Sequence, residues 1–278
     1  MERITATLTR RIPLTGSATE TPLNPLRTGM PALDSIQSAA VTLRGTYRVI
    51  RTTEVDAYEK SPLVLDLMNL LRAKGVISAT VLESILTAKA TTGDGFKGAA
   101  RKAAKTSIAD AAMESFSDLK DLVSSLTPDD EMIDRTPKIG VGAGSRRVSE
   151  EKRNVRVPAF LYAASRENDN DFHLIIGRDP EASTELYMTM ELSGLPSNSA
   201  AAFQKLKGAR NAYKTFFGSE LPGFTYDFYD PPIPVAIEGS LFFDMNHATG
   251  TRPGPQSLKS RMPTIWEVHP ISKITLGP

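Results

Sequence analysis

The sequence predicts an α+β protein: a helical N-terminal region followed by a C-terminal five-stranded β-barrel with one helix between strands three and four. Three observations predict it. Apolar residues recur at helical spacing through much of the stretch from Ser61 to Leu126. From Val155 onward the apolar period changes to two, the signature of strands. A single helical stretch, Ser199 to Phe217, interrupts those strands. The expected division is 1–137 for an extended arm plus helical region, 138–154 for a hinge, and 155–278 for the barrel.

Bulk properties bound the function classes. The chain has 278 residues, 40% hydrophobic and 23% charged, with a net charge of +1. No global field favours nucleic acid or a basic partner, so such binding would have to be local. The absence of cysteine excludes disulfides, thiolate metal sites and thiol catalysis. Met1 to Thr15 lacks the apolar run of a signal peptide, and no window reaches the length of a membrane span. A cytoplasmic protein without a membrane partner is expected.

The first 38 residues are rich in Thr, Pro and Arg and read as an extended arm. Ala40 to Val55 has strand character, followed by the acidic group Glu54, Asp56 and Glu59. Ser61 and Pro62 then form a helix start, with Ser as N-cap and Pro at the first helical position. Leu63 to Lys74 is apolar on more than one face, and Gly75 ends it. Ser78 caps a second helix through Leu86. This hairpin is suited to core packing or an oligomer contact. Beyond Gly93 and Gly95, one long helix is expected from Phe96 to Leu126, with Lys97, Arg101, Lys102 and Lys105 in its first turns. Cations there oppose the helix dipole; an anionic partner or a solvated basic face would each account for them. The run Gly140 to Arg147 resembles a phosphate cradle but lacks the preceding strand and the following Lys-Ser/Thr pair, so it reads as the hinge.

In the C-terminal half the strands are Val155 to Tyr162, Phe172 to Arg178, Leu186 to Leu192, Ile233 to Met245 and Ile265 to Ile274. Three strands, a helix and two strands is the order of the OB-fold. Gly239 lies mid-strand, where such a barrel bends or bulges. Alternation places Phe172, Leu174 and Ile176 on the core side, and Asp171 with His173 on the other. Glu267 and His269 share a face of the last strand, and Glu191 can join them from the third. Asp244 and His247 sit where the fourth strand runs out.

The chain has three histidines, and each lies within three residues of a carboxylate: Asp171 and His173, Asp244 and His247, Glu267 and His269. Three readings follow. The imidazoles His173, His247 and His269 ligate a divalent metal, with Asp171, Asp244 or Glu267 completing the shell or acting as base. One histidine is instead a general base oriented by its carboxylate. Or the groups hydrogen-bond one another and lock strand ends. The loop from Asn246 to Pro263 offers a different site. Arg252, Lys259 and Arg261 lie on it without an acid, which suits the backbone of single-stranded nucleic acid.

The segments Asp171-Phe172-His173-Leu174, Gly239 with Phe242-Phe243-Asp244 and His247, and Glu267-Val268-His269-Pro270 resemble a signature of uncharacterised bacterial β-rich domains. Those domains carry D-x-H-L, G-x-x-F-F-D-x-x-H and E-[LIV]-H-P. The resemblance spans roughly residues 155 to 275. It supports grouping these residues and implies no reaction. The strand order is also similar to that of staphylococcal-nuclease-like barrels, but their arginine pair and calcium carboxylates have no counterpart here. Three functions are expected from these readings. The first is a binding module recognising single-stranded nucleic acid, another polymer or a protein partner. The second is a metal-dependent hydrolase of the phosphodiesterase type. The third is a structural subunit that assembles through its N-terminal helices.

Overall fold

The computed structural model describes residues 40–44, 47–52, 54, 70–71, 73–75, 93–249 and 252–277. Its frame is one eight-stranded mixed sheet. The strands are β1 (Ala40–Arg44), β2 (Tyr47–Arg51), β3 (Met113–Ser115), β4 (Asn154–Arg166), β5 (Phe172–Gly177), β6 (Tyr187–Leu192), β7 (Asp227–Phe243) and β8 (Trp266–Leu276). Their order is β1-β2-β7-β8-β6-β5-β4-β3, and β7 also pairs with β4. All pairings are antiparallel except β6 with β8 and β3 with β4.

This corrects the expected fold class. Among the described residues, the long helix of the N-terminal region and a separate five-stranded OB-like barrel do not form. The five C-terminal strands belong to a larger mixed sheet, which β1 and β2 extend from β7 and β3 extends from β4. The long helix expected from Phe96 to Leu126 is absent. In its place stand α1 (Lys102–Lys105), β3 and α2 (Leu119–Ser124), with α3 (Asp129–Asp134) following. The reason is tertiary. Arg101 takes a left-handed conformation (φ 47) and turns its side chain inward to Glu151. Lys105 reaches Asp169. Thr106 and Ser107 bond back to the carbonyls of Lys102 and Ala104, which competes with helix propagation. Asp118 caps α2 by accepting from the Lys120 N–H at 2.7 Å. Of the expected hairpin, Leu70, Leu71 and Ala73 are helical and Gly75 has φ 70. Its remainder lies outside the described residues, as do the first 38.

The remaining helix, α4 (Phe203–Phe217), buries Leu206, Ala209, Tyr213 and Phe217. That spacing is the apolar stripe of an amphipathic helix. Gly218, at φ 56, ends it.

Two apolar layers cover the sheet. Phe172, Leu174, Ile176, Met188, Met190, Leu241, Phe243, Trp266 and Val268 belong to the larger. Alternation sends Ile175, Tyr187 and Tyr162 to the other face, where Leu258 and Met262 cover them. Both β5 and β6 are therefore buried along their whole length. Polar residues on these strands are buried with them. Gly239 sits at a register shift between β7 and β8. A Cβ there would lie 2.5 Å from the Pro270 oxygen, so only glycine lets β8 pass this closely.

The segment from Lys138 to Asn154 is tied to its surroundings. Arg101 N–H donates to Val141 O and Ala103 N–H to Ala143 O. Arg147 is buried and donates to Ala104 O and to His269 O. Among the described residues, no helix is long and apolar enough to cross a membrane.

Candidate metal centre

Strand register assembles the site. β5 and β6 place His173 directly opposite Glu191. β6 and β8 run parallel with Thr189 opposite Glu267. A two-residue step along both strands keeps side chains on one face, so it sets Glu191 beside His269. Asp171, at the entry to β5, reaches the same ring. β8 lies between β6 and β7, and the end of β7 delivers Asp244. The turn Met245–Thr249 then brings His247 back.

The result is two adjoining triads. Donor atoms of Asp171, Glu191 and His269 lie within 4.8 Å of one another, and so do those of Asp244, His247 and Glu267. His269 is fully buried and has carboxylates at both ring nitrogens. Its Nε2 is 3.1 Å from Asp171 Oδ2, and its Nδ1 is 3.0 Å from Glu191 Oε2 and 3.4 Å from Glu267 Oε2. His247 Nδ1 is 2.7 Å from Asp244 Oδ2. His173 joins neither triad. Its Nδ1 is 3.6 Å from Glu191 Oε1 and 3.8 Å from Glu167 Oε1. It stands behind Glu191, where it can orient that carboxylate.

All these groups are buried, together with Glu167 and one ammonium, Lys105. Lys105 Nζ lies 3.3 Å from Asp169 Oδ2. Burial alone would lower the Lys105 pKa, but the charges of Glu191, Asp169, Asp171 and Asp244 raise it well above the ordinary lysine value. Burial would raise Asp171 and Asp244. Hydrogen bonds to His269 and His247, and the charges of those rings, instead bring each carboxyl down to about 2. Burial, reinforced by the charge of Glu191, pushes Glu267 up to about 8. Burial likewise holds Glu191 well above the usual carboxylate range, with Asp171 and Asp169 adding to it against Lys105. Burial would lower His269, yet its bonds to Asp171 and Glu267 raise it. Without a metal ion, then, the imidazole partners favour the charged form of Asp171 and Asp244, and burial disfavours the charged form of Glu191 and Glu267. Glu267 Oε1 is buried and has no hydrogen-bond partner among the described residues.

No protein-family model, curated protein or solved structure matches this chain.

Of the residues singled out from sequence, Asp171, Asp244, Glu267, His247 and His269 converge here, and His173 flanks them. Lys105 and Glu167 were not assigned to the site. The helix that would have carried Lys105 in its first turns does not form, and no sequence motif involves Glu167. Arg252, Lys259 and Arg261 lie apart. Arg252 is 3.1 Å from Asp129 and Arg261 is 2.8 Å from Glu185. The loop that carries them buries Pro253, Gly254, Pro255, Leu258 and Met262. Its apolar residues thus serve the second layer of the core.

Proposed function

We propose that this protein is a divalent-metal-dependent hydrolase whose ion lies between Asp171, Glu191 and His269. The observation that carries the reading is that triad of buried donors on three neighbouring elements. Charges taken out of water cost several kcal/mol each unless compensated. Asp171, Glu191, Asp244, Glu267 and Glu167 are all buried, and the buried cations acting on them include Lys105, beside Glu191, Asp171 and Asp244, and Arg210, beside Asp171. A divalent ion supplies further positive charge and offsets the burial that disfavours the charged form of Glu191 and Glu267. Carboxylate and imidazole donors without thiolate suit zinc, manganese or iron.

The number of ligands favours chemistry over a purely structural ion. Three protein donors leave coordination positions for water and substrate, whereas structural sites close with four. A metal held by Asp171, Glu191 and His269 would supply an acidified water as nucleophile near neutral pH. Lys105 adds a fixed positive charge beside the ligands, and a metal with an ammonium is a charge set that stabilises a phosphoryl transition state. Phosphodiesters are therefore the substrate class to test first. The alternative of a nucleic-acid-binding loop has less behind it, because Arg252 and Arg261 are already engaged by Asp129 and Glu185.

The test is hydrolysis of bis(4-nitrophenyl) phosphate by EDTA-treated protein resupplied with Mn²⁺ or Zn²⁺, alongside metal content by mass spectrometry. Metal-restored turnover that Asp171→Asn abolishes is expected. Protein that binds no divalent metal at micromolar concentration would sink the proposal. Metal binding without turnover of any phosphodiester would remove the phosphodiesterase assignment.

A further inference from the structure

We infer that the centre is dinuclear, with Glu267 bridging two metal ions. The inference rests on the metal-centre reading above and extends it to the second triad. β8 is the middle strand of the three that supply ligands, between β6 and β7. Two of its polar residues, Glu267 and His269, reach different ligand sets. His269 belongs with Asp171 and Glu191 on the β5–β6 side. Glu267 belongs with Asp244 and His247 at the end of β7. Yet Glu267 Oε2 is also only 3.4 Å from His269 Nδ1. One carboxylate thus borders both triads.

Its other oxygen gives an independent indication. Glu267 Oε1 is buried and accepts no hydrogen bond from any described residue. Leaving a buried acceptor unsatisfied is unfavourable. Asp171 Oδ2 is likewise buried without a hydrogen bond among the described residues, although it lies 3.1 Å from His269 Nε2 and the Gly194 N–H donates to Oδ1; Asp244 accepts the Asn246 N–H and has His247 Nδ1 at 2.7 Å. Glu267 has His269 Nδ1 at 3.4 Å from its Oε2, and Asp244 and His247 stand with it in the second triad. A carboxylate with one oxygen against the first triad and lone pairs unspent on the second has the donor capacity a μ-carboxylate needs. Bridged ions in hydrolytic two-metal sites lie about 3.5–4 Å apart, a span that one carboxylate can cover.

Stoichiometry and magnetism test this separately from the metal reading. EDTA-stripped protein is titrated with Mn²⁺, bound metal is counted by mass spectrometry, and the loaded sample is examined by electron paramagnetic resonance. The expected result is two Mn²⁺ per chain with an exchange-coupled signal. Glu267→Gln should lose the coupling, and folding of that variant is checked by circular dichroism. Should it fail to fold, His247→Ala replaces it and should hold one uncoupled Mn²⁺. One ion per chain in the unaltered protein would overturn the dinuclear inference while leaving the single-ion proposal intact. Two ions without coupling would overturn the bridge. No bound ion would overturn both readings.

Discussion

Replacing Glu267 by glutamine should stabilise the metal-free protein at neutral pH while weakening its hold on metal. Glu267 is fully buried, and its pKa rises from 4.5 to about 8 in the fold, chiefly by burial and then by the charge of Glu191. A raised carboxyl means the folded state holds a proton that the unfolded state releases. Stability from this group is therefore intact below pH 4.5, declines as pH climbs, and is fully lost above about 8. At ~1.4 kcal/mol per pKa unit the penalty is about 1 kcal/mol at pH 5 and on the order of 3 kcal/mol at pH 7. Glutamine keeps the shape and removes the titration. Urea unfolding in EDTA at pH 5, 6 and 7 should show Glu267→Gln gaining on the unaltered protein as pH rises, by roughly 2 kcal/mol across that window. In the unaltered protein metal affinity should rise over the same window, because ions displace the retained protons. An Glu267→Gln advantage that is constant with pH, or that shrinks toward pH 7, would refute this electrostatic account.

Three further outcomes follow from the geometry. Glu151→Ala should destabilise by about 3–5 kcal/mol, because it strands the buried Arg101 guanidinium. Glu151 meets that guanidinium at 2.6 and 2.7 Å and also accepts the Phe243 N–H; a urea-measured loss under 1 kcal/mol would contradict the pairing. Gly239→Ala should cost about 1–3 kcal/mol, since its methyl group would press on Pro270 O and Val268. The displaced His269 should then bind Mn²⁺ more weakly, which calorimetric titration reads directly. His173→Ala should retain metal with affinity reduced by about tenfold to a hundredfold, the range for removing an outer partner, whereas His269→Ala should lose the first ion altogether. Equal effects of the two substitutions would place His173 among the ligands instead.

Much of the site was legible from sequence because strand periodicity is a local property. The two-residue step put Asp171 with His173 and Glu267 with His269, and it correctly sent Phe172, Leu174 and Ile176 to the other side. Gly239 marked a real register shift. What alternation lacks is any account of what lies above a face. The side with Asp171 and His173 was expected to face outward, yet Leu258 and Met262 of a distant loop close over it. That burial is what turns a polar stripe into a charged centre.

The failure between Phe96 and Leu126 has a related cause. Its helical spacing is genuine over short runs, as α2 shows, but Arg101 and Lys105 have partners about fifty and sixty-four residues away, Glu151 and Asp169. Pairing buried cations outweighs the fraction of a kcal/mol per residue that helix propensity offers. Sheet membership was equally invisible. β3 joins β4 in parallel through three residues, too short a run for any periodic signal, and the β1–β2 extension of β7 depends on pairing far along the chain.

The central claim is that Asp171, Glu191 and His269 hold a metal ion. Anomalous diffraction from crystals of Zn²⁺-loaded protein, collected on both sides of the zinc edge, tests it most directly. The account predicts an edge-dependent peak bonded to all three side chains at about 2.0–2.2 Å, the distance for zinc with imidazole and carboxylate donors. Zinc bound only at surface residues, with His269 still hydrogen-bonded to Asp171 and Glu191, would contradict it.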